Sequence, residues 1–199
     1  MAAQYFDPDP AVASRLGTVE LTLPDARVEL TVDRGVFSAG RVDPGTLALL
    51  RAAPDPPAAG NLLDLGCGYG PIACTLARRA PGATVWALDV NRRARQLATA
   101  NAAALGLTNL RVLDPAEVDP GVRFAGLWSN PPIRIGKEAL HNMLATWTGR
   151  LAPGACAWLV VQRHLGADSL AAWLTASGWP VRRVASKQGY RVLQVGPAR

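Results

Sequence analysis

The chain has 199 residues, of which 49% are hydrophobic and 18% charged, with 19 glycines and 16 prolines. This length and composition fit one globular domain with a substantial core, and they exclude a collagen-like or low-complexity chain. The longest nearly uncharged apolar stretch covers residues 151–162 and includes a Pro-Gly pair. It is far shorter than the roughly 20 residues that a membrane-spanning helix needs, so we expect a soluble protein without a membrane partner.

The net charge of +6 is distributed unevenly along the sequence. Residues 1–119 carry 11 basic and 13 acidic side chains, whereas residues 120–199 carry 10 basic and two acidic ones. This asymmetry favours contact between the carboxy-terminal part and a polyanion such as a nucleic acid. The alternative is a general bias towards arginine, which supplies 19 of the 21 basic side chains.

The amino terminus and the cysteines indicate a reducing compartment. The segment MAAQYFDPDP has neither the basic flank nor the apolar stretch of a secretory signal, which predicts a cytoplasmic protein. The three cysteines, Cys67, Cys74 and Cys156, are odd in number and show no C-x-x-C spacing. We therefore expect reduced packing residues, with no disulfide framework and no metal site.

The first predicted elements are a hairpin and a helix. Apolar and polar residues alternate on both sides of the turn signal Pro24-Asp25-Ala26, which predicts a β-hairpin with one buried face. An amphipathic segment over residues 46–53 predicts a helix. The alternating apolar residues of the hairpin are Val19, Leu21, Leu23, Val28, Leu30 and Val32.

A Pro/Ala-rich linker over residues 54–60 is expected to separate this cap, residues 1–53, from the main domain, residues 61–199. From residue 61 onward, strands and helices alternate, which predicts a doubly wound α/β fold of the Rossmann-like kind. Its seven-stranded, mostly parallel sheet would carry the hairpin as a small cap. The predicted strands cover 62–65, 85–88, 110–113, 125–128, 156–161, 181–185 and 190–195. The predicted helices cover 71–79, 91–105, 140–147 and 170–177.

The most informative local segment is Leu62-Leu63-Asp64-Leu65-Gly66-Cys67-Gly68-Tyr69-Gly70-Pro71. A buried strand here ends in an acidic residue and a G-x-G-x-G turn that opens a helix. A ligand can approach such a turn without obstruction by Cβ atoms. The next strand ends at Asp89, 19 residues after Gly70, where a carboxylate can accept both hydroxyls of a ribose. This pattern predicts a nucleotide-like cofactor.

We expect this cofactor to lack phosphates. A dinucleotide fold favours a further glycine near the position of Pro71, and the Asp64 carboxylate before the turn would repel a pyrophosphate. S-Adenosylmethionine fits, because its ribose suits Asp89 and its amino-acid end suits Asp64 and the glycines. Its cationic sulfonium is tolerated beside carboxylates.

Further pocket candidates follow later strands. Asp114 follows the third strand of the sheet and is the candidate acceptor for the adenine amine, with Glu117 as a competitor. Tyr69 and Tyr190 are candidates because they lie beside turns.

The fourth strand of the sheet is followed by Ser129-Asn130-Pro131-Pro132-Ile133. Two prolines stiffen the backbone and remove amide donors, which leaves the Asn130 side-chain oxygen and the Pro131 carbonyl as rigid acceptors. An exocyclic amine of a nucleobase is a poor nucleophile because its lone pair is delocalised into the ring. Hydrogen bonds from its two N–H groups to these acceptors would raise the lone-pair density and align it with a methyl sulfonium. No strong general base is required.

Several segments together resemble class I S-adenosylmethionine-dependent methyltransferases. More narrowly, they are similar to the ribosomal-RNA small-subunit guanine-N2 methyltransferase family in its short single-domain form. The segments are LDLGCGYGPIA, LDVN, SNPPIRIGKEALH, YFDPDP, DRGVFSAGRVDPGTLALL and KQGYRVLQV, and they extend over nearly the whole chain. The resemblance implies methylation of the exocyclic amine of a guanine in 16S ribosomal RNA, with ribosomal RNA or the small ribosomal subunit as partner. Residues 61–199 would be the methyltransferase catalytic domain.

The resemblance also implies roles for individual residues. The segment Asn130-Pro131-Pro132-Ile133 would be catalytic, with Asn130 and Pro131 gripping the target amine. Ile133 stands where related amine methyltransferases often have Tyr or Phe. The implied cofactor-binding residues are Asp64, Gly66, Cys67, Gly68, Gly70, Asp89, Val90, Asp114, Asn130, Phe37, Ser38 and Asp43, and the last three would close the pocket from the cap.

The expected RNA contacts are basic side chains in the carboxy-terminal part, namely Arg134, Lys137, Arg182, Arg183, Lys187 and Arg191.

Two alternative functions stay open at this point: an amine methyltransferase acting on adenine in nucleic acid or on a protein glutamine, and a non-catalytic RNA-binding remnant. The presence of Asp64, Asp89 and Asn130 favours an enzyme over the remnant.

Overall fold

The computed structural model describes residues 13–34, 36 and 40–198, and these form nine strands and five α-helices. Each predicted strand and helix is present, with its ends displaced by no more than three residues. The strands are β1 (Leu16–Leu23), β2 (Ala26–Asp33), β3 (Gly60–Leu65), β4 (Ala83–Leu88), β5 (Leu110–Leu113), β6 (Gly126–Ser129), β7 (Ala157–Gln162), β8 (Val181–Lys187) and β9 (Tyr190–Val195). The α-helices are α1 (Pro44–Ala52), α2 (Pro71–Arg79), α3 (Arg92–Ala104), α4 (Lys137–Thr148) and α5 (Ala167–Ala176).

Strands β3 to β9 form one sheet with the order β5-β4-β3-β6-β7-β9-β8. Neighbouring strands are parallel except at β9, which runs antiparallel to both β7 and β8. The chain proceeds from β3 outward to β5 on one side, then returns to β6 and continues outward on the other. The predicted doubly wound, mostly parallel seven-stranded sheet is therefore confirmed, and its direction of winding reverses between β3 and β6.

The hairpin of β1 and β2 is a two-stranded antiparallel sheet of its own. Its alternating apolar side chains lie on one face, where Leu21 and Leu30 are fully buried. This confirms the predicted hairpin with its single buried face. That face packs in the same hydrophobic cluster as residues of α2 and α3, so the hairpin and the sheet share a core.

Helices cover both faces of the main sheet. Consecutive residues of β3 show the two layers, because Leu62 packs with α1, α2 and α3 whereas Leu63 packs with α4 and α5. Gly60, the last residue of the predicted linker, already belongs to β3. None of the helices in the described part of the chain is long and apolar enough to cross a lipid bilayer.

The side chain of Asn101 on α3 joins the hairpin to the glycine turn. Its Nδ2 donates to the carbonyl oxygens of Thr31 (2.9 Å) and Tyr69 (2.8 Å), and its Oδ1 accepts from the Thr31 amide (2.8 Å). Asn101 is only 2% exposed, so its own amide cannot turn to water instead.

We expect Asn101→Ala to lower the free energy of unfolding by about 2–3 kcal/mol, because it leaves buried backbone groups without partners. Urea denaturation followed by circular dichroism measures this change. Thr99→Ala on the exposed side of α3 is the matched control, and its effect should stay within about 0.5 kcal/mol. Equal stability of the two variants would show that Asn101 does not hold the hairpin.

Candidate active site

A cavity of about 540 Å³ opens at the carboxyl ends of β3, β4, β6 and β7. This volume suits a small-molecule ligand of cofactor size. The cavity lies where the direction of winding reverses between β3 and β6, which is the usual ligand position in open α/β sheets.

The glycine turn forms one wall of this cavity. Gly66 and Gly68 have positive φ angles of 76° and 56°, which side chains rarely allow. A Cβ atom on Gly68 would meet nothing within 4 Å, and one on Gly66 would meet only Pro132, at 3.9 Å. The absence of side chains at these two positions leaves the backbone open to a ligand. Gly70 differs, because a Cβ atom there would approach Ala98 of α3 to 3.3 Å, and Gly70 does not line the cavity.

Cys67, between these two glycines, lines the cavity but is only 4% exposed. Burial raises the pKa of its thiol well above the ordinary value, and the nearby carboxylates of Asp89 and Asp64 raise it further. Burial also raises the pKa of Cys74 to about 12. Both thiols are therefore protonated at neutral pH, and all three cysteines are free.

Asp89 follows β4 and faces the same cavity. Its Oδ2 accepts from the Gly68 amide and its Oδ1 from the Asn91 amide, both at 2.9 Å. Burial raises its pKa, while these two hydrogen bonds favour the charged form. Each carboxylate oxygen keeps a further lone pair for a ligand hydroxyl. The neighbouring Val90 is 42% exposed and adds an apolar surface to the cavity.

Asp64 lies behind the glycine turn and is completely buried. Its Oδ2 accepts from the Ala73 amide of α2 at 2.9 Å, while its Oδ1 has no hydrogen-bond partner among the described residues. Burial raises the pKa of this carboxyl to about 8. The structure thus places Asp64 under the cavity wall, where it anchors the start of α2.

The two candidate adenine contacts, Asp114 and Glu117, have local partners. Asp114 accepts from the Ala116 amide (3.0 Å) and pairs with Arg95 (2.9 Å), and Glu117 accepts from the Asp114 amide (2.8 Å). These bonds form a capping box on a short 3-10 helix. From this segment, Pro115 lines the cavity.

Asn130 lies at the end of β6, facing the cavity opposite the glycine turn. Its Nδ2 donates to Asp43 Oδ2 (2.9 Å) and to Thr46 Oγ1 (3.2 Å). An ionised carboxylate can only accept hydrogen bonds, so the amide nitrogen must face Asp43 and the Oδ1 must face away from it. The Asn130 oxygen is therefore left as an acceptor.

The two prolines after Asn130 shape the same wall. The carbonyl of Pro131 accepts from the Ile133 amide at 2.8 Å, which leaves it one further lone pair. Pro131, Pro132 and Ile133 all line the cavity. A short 3-10 helix over Ile133–Ile135 follows directly and leads into α4.

Asp43 connects the cap to the site. It is the N-cap of α1, where its Oδ2 accepts from the Thr46 amide at 3.1 Å. Its other oxygen accepts from the Tyr190 hydroxyl at 3.3 Å, and that hydroxyl accepts from Gln162 Nε2 at 2.9 Å. A Cβ on Gly45 would approach the Tyr190 ring to 2.6 Å, so only glycine lets the ring lie there.

Two members of this polar cluster are not predicted from the sequence. Thr46 could have been suspected from its position three residues after the N-cap aspartate, but Gln162 carries no local signal. Tyr69, a pocket candidate, lines the cavity with a buried hydroxyl that lacks a partner among the described residues, and burial raises its pKa. Phe37 and Ser38 lie outside the described residues, while their neighbour Val36 lines the cavity.

The basic candidates for RNA contact are divided between different surfaces. Arg134 lines the cavity, and the exposed Lys137 begins α4 close by. Arg182 lies near the amino end of β8, away from the cavity, and donates to Gln194 Oε1 at 2.7 Å. The exposed Arg183 lies beside it. Lys187 is the last residue of β8, at the end of the strand that lies nearest the cavity.

Arg191 is paired with an acidic side chain. It is 13% exposed and forms an ion pair with Asp168, so its charge is compensated within the protein, and its contact with RNA stays a prediction. Within the described residues, no group of three or more His, Cys, Asp or Glu side chains could hold a metal ion.

The sheet order, the glycine turn and the cavity at the reversal point give the Rossmann-like fold that class I methyltransferases have, and membership of the methyltransferase small domain family makes S-adenosylmethionine the cofactor. A family model for the methyltransferase small domain matches residues 27–194, so the chain belongs to that family.

The similar proteins include one of matching length and several longer ones. The chain is 34% identical over 197 residues to the uncharacterized protein YbxB of Bacillus subtilis (strain 168), with 98% of each protein covered. It is 37% identical over 164 residues to ribosomal RNA small subunit methyltransferase C of Hahella chejuensis, covering 79% of this chain and 46% of that protein.

Among solved structures, the fold is similar to that of the T. thermophilus 16S rRNA N2 methyltransferase RsmC in complex with AdoMet and guanosine. The TM-score is 0.73 at 24% identity, covering 94% of this chain and 52% of that chain. This chain thus spans about half the length of the rRNA methyltransferases that it matches.

Proposed function

We propose that this protein transfers a methyl group from S-adenosylmethionine to the N2 amine of a guanine in 16S ribosomal RNA. The observation that carries this proposal is the orientation of the Asn130 amide. Its nitrogen is held by Asp43 and Thr46, so its oxygen is left to accept from an amine in the cavity. Relatives that are named as ribosomal RNA small subunit methyltransferases support the substrate class.

The cavity residues fit S-adenosylmethionine. The open glycine backbone at Gly66 and Gly68 provides room that a Cβ would fill, and the carboxylate of Asp89 keeps free lone pairs for the ribose hydroxyls. Val90 and Pro115 offer apolar surface for the adenine ring. We propose that the adenine amine lies near this segment, where Asp114 and Glu117 contribute mainly by shaping the turn.

The charges around the cavity also suit this cofactor. Asp43 and Asp89 line the cavity, and residues 66–70 of the glycine turn include no cation that would bind a phosphate. These carboxylates favour the cationic methionine end. The cofactor supplies an electrophilic methyl group; the protein supplies position and orientation.

Asn130 Oδ1 and the second lone pair of the Pro131 carbonyl would accept the two N–H groups of the target amine. These bonds fix the plane of the base and increase electron density on the amine nitrogen, which favours its attack on the methyl carbon. The proton released after transfer can pass to water. Asp43 acts as a positioning residue in this scheme, because it holds the Asn130 amide in the accepting orientation.

The target base would enter over the wall formed by Ile133 and Arg134. Ile133 offers an apolar contact to the base where an aromatic ring would stack, and Arg134 and Lys137 can bind flanking phosphates. A guanine that begins in a stacked or paired region must be turned out to reach Asn130. This costs a few kcal/mol that the backbone contacts must offset.

Nucleoside mass spectrometry tests the proposal. The purified protein is incubated with labelled S-adenosylmethionine and, separately, with unmodified 16S rRNA, small ribosomal subunits, DNA and ribosomal protein. We expect N2-methylguanosine in the rRNA or the subunits. Methyladenine as the sole product, or label found only in protein, would contradict the proposed substrate while leaving the methyltransferase class intact.

A further inference from the structure

A second cavity, of about 220 Å³, lies at the same edge of the sheet as the active site. We propose that it binds a phosphodiester of the RNA strand that carries the target guanine, an inference that rests on the proposed function. We call this cavity the phosphate pocket. It is lined by Arg163, Ser186, Lys187, Gln188 and Gly189.

The phosphate pocket borders the active-site cavity directly. Gln162 and Tyr190 line the active-site cavity and are cross-strand partners joined by a hydrogen bond of 2.9 Å. Arg163 is the next residue along the chain after Gln162, and Lys187 is the cross-strand partner of Tyr190 on β8. The strand order β6-β7-β9-β8 puts the pocket roughly 10–15 Å from the strand that carries Asn130. A single strand with its base near Asn130 can reach it.

Neither cation of the phosphate pocket has an acidic partner in the part of the chain that the structure describes. No carboxylate of the described residues forms an ion pair with Arg163 or Lys187, in contrast to Arg191, which pairs with Asp168. Both side chains are exposed, so their positive charge is available to a ligand. Two uncompensated cations at the edge of a cavity attract a polyanion, and a guanidinium suits the geometry of a phosphate.

The backbone holds the pocket in one shape. The Arg163 amide donates to the Gly189 carbonyl at 2.7 Å, which ties the end of β7 to the turn between β8 and β9. At the tip of that turn Gln188 has a φ of 50°, a left-handed conformation that costs a non-glycine residue about 1–2 kcal/mol. Gly189 also has a positive φ, of 81°, and the two-residue loop between β8 and β9 requires positive φ at both positions.

A phosphodiester is the ligand class that these features favour. The pocket offers a guanidinium, an ammonium and a hydroxyl, all of which can donate to phosphate oxygens. Contacts of this kind fix the register of a nucleic-acid strand without reading its sequence. The pocket would thus set which nucleotide of a bound strand reaches Asn130.

The test measures binding of a labelled single-stranded RNA oligonucleotide by fluorescence anisotropy at a series of salt concentrations. Each phosphate contact contributes about 0.7 to the slope of log K against log salt for a single strand. We expect Arg163→Ala and Lys187→Ala each to lower the slope by about this amount. Both substitutions are at exposed positions and should leave the stability of the fold nearly unchanged.

The sequence groups Arg182 with the expected RNA contacts, but the structure places it at the other end of β8 from the pocket, so Arg182→Ala is the matched control. It removes a cation of the same strand as Lys187. Arg182 lies five residues earlier, about 17 Å away, near the amino end of β8. An unchanged slope for this control supports the phosphate pocket. Unchanged slopes for Arg163→Ala and Lys187→Ala, or an equal reduction for Arg182→Ala, would overturn it.

The same preparation separates the failure of this inference from failure of the proposed function. If the slopes change as expected but no N2-methylguanosine forms in rRNA or subunits, the phosphate pocket stands and the proposed substrate fails. If N2-methylguanosine forms while the slopes stay unchanged, the proposed function stands and the phosphate pocket fails.

Discussion

Replacement of Asn130 by alanine is expected to lower the turnover of methyl transfer by about 100-fold, the usual cost of removing one aligned polar contact in a transition state. The affinity for S-adenosylmethionine should change little, because the cofactor is assigned to the glycine turn and Asp89 on the other wall. Single-turnover kinetics with saturating RNA measures the first quantity, and isothermal titration calorimetry measures the second.

Asp89→Ala provides the opposite pattern as a control. It removes the carboxylate assigned to the ribose and also the acceptor for the amides of Gly68 and Asn91, so weaker cofactor binding should be its main defect. Circular dichroism confirms that each variant is folded. Should Asn130→Ala lose cofactor affinity as strongly as it loses turnover, Asn130 would belong to the cofactor site and the assigned role would be wrong.

The glycine turn illustrates what can be predicted from sequence. The need for positive φ at Gly66 and Gly68 is local, and so is the buried strand that precedes them. The alternating pattern of the hairpin is local too, since burial of every second residue follows directly from strand geometry. These features place the cavity wall without knowledge of distant residues.

The polar cluster of the site depends on contacts that no local pattern encodes. Asp43 and Asn130 are separated by 87 residues and Asp43 and Tyr190 by 147, yet each pair is joined by a hydrogen bond. A short acidic side chain has many possible partners. The sequence predicts that Asp43 closes the cofactor pocket; the structure places it in the cavity wall and also joins it to Asn130 and Tyr190, which no local pattern indicates.

Carboxylates and cations show the same limit. Sequence position predicts Asp64 and Asp114 beside the cofactor, but it does not show that Asp64 anchors α2 or that Asp114 pairs with Arg95. Net charge likewise identifies a basic half of the chain without showing which cations are compensated. Arg191 is paired and nearly buried, whereas Lys187 is exposed, four residues earlier. Partner choice depends on the tertiary arrangement and not on spacing.

The contact between Asp43 and Asn130 gives the second large expected effect. Asp43→Ser keeps an N-cap acceptor for α1, since serine caps helices about as well as aspartate, but its side chain is too short to hold Asn130 and Tyr190. We expect turnover to fall by about 10-fold, equal to about 1.4 kcal/mol of transition-state stabilisation.

Asp43→Asn is the conservative rescue. Its amide oxygen can accept from Asn130, and its nitrogen can donate to the Tyr190 hydroxyl, so turnover should stay close to that of the unmodified protein.

A double-mutant cycle separates positioning from cofactor binding. If Asp43 acts through the orientation of Asn130, then Asp43→Ser should have almost no further effect on turnover once Asn130 is already alanine, because the group that it positions is gone. If Asp43 instead holds the cofactor, the two losses should add, and Asp43→Ser alone should weaken S-adenosylmethionine binding in calorimetry. Additive losses in turnover would therefore show that the hydrogen bond between Asp43 and Asn130 stabilises the fold of the cap and does not orient the accepting oxygen of Asn130.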